Sequence, residues 1–167
     1  AFAAQKVDVL PRSLWARLLE EPRQSRAAAV QRMNRVMEDK GEKVLSYLES
    51  IVGTPKELEV RLVEDLAGGV GALRLSKARA VIELSMNAKD ILSVAAHEGY
   101  HYLEARALTG PEQRIVREAF ANGGPLHSLL MTKARAYDKT NGTNLTDEIN
   151  AVPAEARAYG FEFWRRG

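Results

Sequence analysis

The five residues His97-Glu98-Gly99-Tyr100-His101 constrain this chain more than any other feature. They lie in a segment from about Ala88 to Leu108 with helical periodicity, opened by Asn87 as a cap and closed by Thr109-Gly110-Pro111. Two histidines four residues apart project about 40° from each other around a helix, so both rings can reach one ion. Glu98 is turned by about 100° from His97 and can stand beside such an ion without binding it. The chain has no cysteine, so any bound metal must use His, Asp or Glu, and no disulfide framework exists. Neutral imidazole suits zinc, and zinc lowers the pKa of a bound water to about 7. In that setting Glu98 is the group placed to take the water's proton. Leu92, Ala96, Leu103 and Ala107 form the expected core face of this helix, away from the two histidines.

The flanking pattern predicts an α+β fold. Ser13 reads as the cap of a short helix over 14–20, ending before Pro22. A long helix follows Ser25 and runs to about Val52, with Gly41 as a point where it can bend or split, and Gly53 and Pro55 stop it. Leu58, Val60 and Leu62 alternate with polar residues as in a half-buried strand. Val70–Leu75 and Ala80–Ser85 read as two more strands, and together these suggest a three-stranded meander. Behind the histidine helix, 111–121 and 125–137 read as helices and 138–144 as a polar loop. A last helical region from Thr146 to Trp164 is open to interruption at Pro153. The expectation is a single domain over 1–167, with a helical part over 1–56 and the sheet, histidine helix and C-terminal helices over 57–167.

Strand, connector and a helix bearing HEGYH resemble the core of the zincin metallopeptidases. The segment from Asn150 to Phe161 is similar to the downstream helix that supplies a glutamate ligand in gluzincin-like members. The layout also resembles compact zincin-like domains of phage and mobile-element polyproteins. The likeness covers residues from about Leu58 onward; residues 14–52 contribute nothing to it. It implies a zincin-like fold, with a small three-stranded sheet packed by the active helix. It also implies a Zn2+ ion on His97, His101 and Glu155, with Glu148 as the other choice for third ligand, and an edge strand, Ala80–Ser85, that holds an extended peptide or protein substrate. The metzincin continuation is disfavoured, because Glu104 and Ala107 stand where it needs glycine and histidine.

An oxyanion-stabilising group is needed as well. The candidates are Tyr159, one turn after Glu155, His127, the third histidine, and Arg157 and Tyr100. Core packing competes with this role for Tyr159 and Tyr100, and a helix surface position competes for His127. Glu104 reads as an orienting partner of a histidine, or as a charge paired with Arg106 or Arg114.

Two functions follow. One is zinc-dependent peptide hydrolysis with Glu98 as general base. The other is a metal-binding, zincin-like module without protease activity, serving as a structural or partner-binding part of a larger phage or mobile-element protein. The start at Ala1 and the small residues Ala1-Phe2-Ala3-Ala4 fit a piece excised from a longer polypeptide. No run of about 18 apolar residues is present, so no membrane-spanning segment is expected. Net charge is only +2. Arg23, Arg26, Arg32 and Arg35 carry no interleaved aromatics, so they read as a solvated face and nucleic acid is not the expected partner.

Overall fold

The computed structural model describes residues 23–167. The expected helix over 14–20 and its Ser13 cap lie outside them. The described residues form an α+β structure with six α-helices and one three-stranded sheet. The chain divides into two compact units, Ala1–Ala95 and Ala96–Gly167. Their junction falls inside a helix, not at residues 56–57 where the sequence pattern changes.

In the first unit, helix α1 (Arg23–Val52) runs unbroken through Gly41. Gly41 is buried, and a Cβ there would press on Leu62 Cδ1 at 3.1 Å. Close packing, not bending, is therefore what glycine permits at this position. Val44 and Leu48 continue the buried side. The helix stops at Gly53, whose φ of 72° is open to glycine and whose N–H donates to the Glu49 carbonyl at 2.8 Å. Arg32 and Arg35 are exposed, and the side chains of Arg23 and Arg26 lie outside the description.

Strands β1 (Leu58–Val63), β2 (Gly71–Leu75) and β3 (Ala80–Ser85) lie in the order β1-β3-β2. The expected meander is thus corrected to a mixed sheet. β3 pairs parallel with β1, placing Ala80, Ile82 and Leu84 opposite Leu58, Val60 and Leu62 on one buried face. β2 and β3 form an antiparallel hairpin closed at Ser76 and Arg79, where Ser76 N–H donates to the Arg79 carbonyl at 2.9 Å. Alternation identifies a strand and its buried face but not its neighbours, which is why the order was not legible. The other sheet face carries Glu59, Arg61, Arg74 and Glu83, joined by ion pairs of 2.7–3.7 Å. Ala80–Ser85 is therefore the central strand, hydrogen-bonded on both sides. It is not the edge strand expected to take a substrate.

Helix α2 (Ile91–Tyr102) opens later than Asn87. Asp90 precedes it and accepts hydrogen bonds from Ser93 N–H at 3.1 Å and Ser93 Oγ at 2.9 Å, which is capping geometry. Asn87 instead donates to Asp65 Oδ1 at 3.1 Å. The expected core face is also corrected. Ala96 is buried as expected and Leu103 half-buried, but Leu92 is 40% exposed, whereas Ile91, Ala95 and Tyr102 are buried, and so is His97. Ala107 is exposed because a π-turn (Leu103–Ala107) follows and breaks the helical register.

The second unit continues with α3 (Gly110–Phe120), α4 (His127–Asn141), α5 (Leu145–Ala151) and α6 (Pro153–Arg166). Thr109 and Glu112 form a reciprocal capping box at α3. α4 extends to Asn141 through part of the expected loop, and Gly142 with φ 65° ends it. The Asp138 carboxylate accepts the amides of Leu145 and Thr146 and the hydroxyls of Thr143 and Thr146, organising the start of α5. These bonds outweigh desolvation and hold its pKa well below the ordinary value. Leu130, Met131, Ala134, Leu145, Ile149 and Ala156 make the core of this unit, flanked by Phe120, Tyr137, Tyr159 and Phe163. Gly160 lets α6 approach α3, because a Cβ there would collide with the Phe120 ring.

Candidate metal centre

Pro153 separates α5 from α6, and this break decides which glutamate reaches the histidines. Glu155 lies in the first turn of α6, at the same site as His97 and His101 of α2. Glu155 Oε2 is 2.8 Å from His97 Nε2, and Oε1 is 3.0 Å from His101 Nε2. The two Nε2 atoms are 3.2 Å apart. Glu148 is on α5, not on the same helix face as Glu155, and it accepts the Tyr159 hydroxyl at 3.2 Å.

Two imidazoles and one carboxylate match the three-ligand set of a catalytic zinc site. At zinc–nitrogen distances of about 2.0–2.1 Å, tetrahedral ligands stand roughly 3.3 Å from one another; the Nε2 atoms are 3.2 Å apart, and their separations from Glu155, 2.8 and 3.0 Å, would have to open by a few tenths of an ångström. The donor set thus fits a small divalent ion. With the histidines protonated, the same atoms hydrogen-bond Glu155. Burial depresses the basicity of His97, but the hydrogen bond with Glu155 and the nearby Glu162 carboxylate outweigh it and raise its pKa to about 9. His101 and His97 together hold the Glu155 carboxyl well below the usual range.

Glu162 is the residue that sequence reasoning missed. Its Oε2 lies 3.4 Å from His97 Nδ1, within ion-pair range but too long or oblique for a good hydrogen bond. Its other oxygen is 3.5 Å from Arg166 Nη2. The signal was present in the sequence. Glu162 follows Glu155 by seven residues, two helical turns, and so shares its face. A carboxylate behind the ring favours the tautomer with the proton on Nδ1, leaving Nε2 free to ligate. Replacing Glu162 by Ala is expected to weaken zinc affinity about 10–100-fold in a competition titration.

Tyr159 completes the cage. Its ring meets His97 edge-on with centroids 4.4 Å apart, and its hydroxyl is directed to Glu148. Burial and the Glu148 carboxylate push that phenol's pKa upward. Glu98 is half-buried on the line of Ile91, Ala95 and Tyr102, and burial raises its pKa above that of an ordinary carboxyl. A proton acceptor beside a metal gains basicity from such desolvation.

The remaining candidates are not brought into this group. His127 opens α4 and is half-buried, outside the His97–His101–Glu155 group. Arg157 is engaged by Glu104, whose carboxylate accepts its guanidinium N–H groups at 2.6–3.0 Å. Tyr100 packs against Phe161 at 5.4 Å with its hydroxyl buried beside Glu104 and Arg157. It helps line an apolar cavity of about 360 Å³ with Phe120, Phe161 and Trp164. On α6, Phe161 and Trp164 project away from Glu155, so this cavity is separate from the His97–His101–Glu155 group. No helix of the described residues is long and apolar enough to cross a membrane. Comparison with known proteins finds no matching family model, no matching curated protein and no matching solved structure.

Proposed function

We propose that this chain is a zincin-like, zinc-dependent metallopeptidase, with His97, His101 and Glu155 as ligands and Glu98 as general base. The observation that carries the reading is the convergence of the two Nε2 atoms and the Glu155 carboxylate within 4.8 Å, beside a half-buried Glu98. A divalent ion held there supplies Lewis acidity toward a scissile carbonyl and makes water nucleophilic near neutral pH. Glu98 accepts the proton of the attacking water and returns it to the departing amine, so that one peptide bond and one water become a carboxylate and an amine. Glu162 and Tyr159 fix the His97 ring from behind and from the side.

The second reading is a metal-binding module without peptidase activity, acting within a larger protein. The central position of β3 favours it, since the strand expected to hold an extended peptide is paired on both sides and only the outer edges of β1 and β2 are left for one. Incubating the zinc-loaded protein with a peptide library and reading cleavage by mass spectrometry separates the two. Peptidase function predicts cleavage that a chelator stops. Stoichiometric metal with an uncut library supports the binding module.

A further inference from the structure

A second link joins the histidine segment to the glutamate helix, and none of its atoms belongs to the ligands. Glu104 lies three residues after His101, in the π-turn, and Arg157 lies two residues after Glu155, on α6. Their side chains are 12% and 11% exposed. Arg157 Nε donates to both Glu104 oxygens, at 2.9 and 3.0 Å, and Nη2 donates to Oε1 at 2.6 Å. Arg157 Nη1 donates to the Pro153 carbonyl at 3.0 Å, tying the guanidinium to the first turn of its own helix. Arg117 stands at the outer side of Glu104, with its Nε 3.9 Å from Oε1.

The π-turn secures the other end. In a regular helix the Leu108 N–H would donate to the Glu104 carbonyl. Here it donates to Leu103 O at 2.8 Å, which releases the Glu104 carbonyl. Gln113 Nε2 takes up that carbonyl at 2.9 Å and the Leu108 carbonyl at 3.2 Å. The backbone carrying Glu104 is thereby pinned by α3 as its side chain is pinned by α6.

We propose that Glu104 and Arg157 are positioning residues, a clamp that sets the register of α6 against the histidine segment and presents Glu155 to the two imidazoles before an ion arrives. The proposal rests on the metal-centre reading. A two-pronged guanidinium–carboxylate pair fixes both distance and orientation, unlike an apolar contact, which tolerates sliding. A buried ion pair adds little stability over apolar side chains of similar volume, so register is what this pair contributes. Without it, the ion itself must order Glu155, and that ordering cost appears as lost affinity.

The test compares wild type with the double variant Glu104→Met/Arg157→Met and the single variant Arg157→Lys. Zinc affinity is read by competition with a chromophoric chelator, and amide exchange of α6 is read in metal-free protein. The apolar pair is expected to fold with an undiminished thermal midpoint in chelator. It should bind zinc about 10–100-fold more weakly than wild type and protect the first turn of α6 less. Arg157→Lys keeps the charge but loses the fork, and is expected to shift both readouts the same way; it carries the test if the double variant does not fold. Wild-type zinc affinity in either folded variant overturns the clamp alone. Wild-type protein that takes up no zinc overturns the metal reading, and the clamp with it.

Discussion

Glu98→Gln is expected to bind zinc as wild type does and to lose peptide hydrolysis by about 10²–10⁴-fold, the range typical of removing a general base. The substitution keeps the side chain's size while removing its basicity. Glu98 is not among the three converging donors, so ligation by His97, His101 and Glu155 is left intact. Kinetics on a cleavable peptide and a zinc titration on the same preparation check both halves. Hydrolysis at the wild-type rate in Glu98→Gln excludes the general-base role. Zinc lost together with activity would mean that Glu98 ligates or organises the site.

Zinc is expected to stabilise the folded chain by about 2.7 kcal/mol at a free concentration 100 times its dissociation constant, since its ligands come together only on folding. A chelator should abolish the gain, and His101→Ala should show almost none. Denaturant titrations with and without zinc measure it; equal zinc-induced shifts in wild type and His101→Ala would refute the assignment. In metal-free protein the Glu155 and Glu162 carboxylates raise the His97 pKa to about 9 against the effect of burial, so zinc uptake below that pH is expected to release a proton. Zinc affinity, and the stabilisation at fixed zinc, therefore weaken as pH falls below that value.

Much of this site is written in local spacing. HEGYH fixes two imidazoles on one helical edge, and Pro153 breaks the last helical region so that Glu155 and Glu148 part company. The four-residue step from Glu155 to Tyr159 and the seven-residue step to Glu162 are equally local, although only the first was used. The failures are non-local or depend on small departures from regular geometry. Strand order is set by which edges meet, and each strand's own alternation is the same in a meander as in β1-β3-β2. The π-turn comes from one displaced hydrogen bond at Leu108, and no periodic pattern registers it. Arg157 looked free to serve an oxyanion because its partner Glu104 is 53 residues away in sequence. Gly41 looked like a helix interruption because its packing against Leu62 is a tertiary contact.

Everything turns on whether His97, His101 and Glu155 hold an ion. Equilibrium dialysis of the purified chain against zinc, followed by elemental analysis, measures this directly. One zinc per chain, lost in both His97→Ala and Glu155→Ala, is the predicted result. Zinc absent from wild-type protein, or retained in full by both variants, would contradict it.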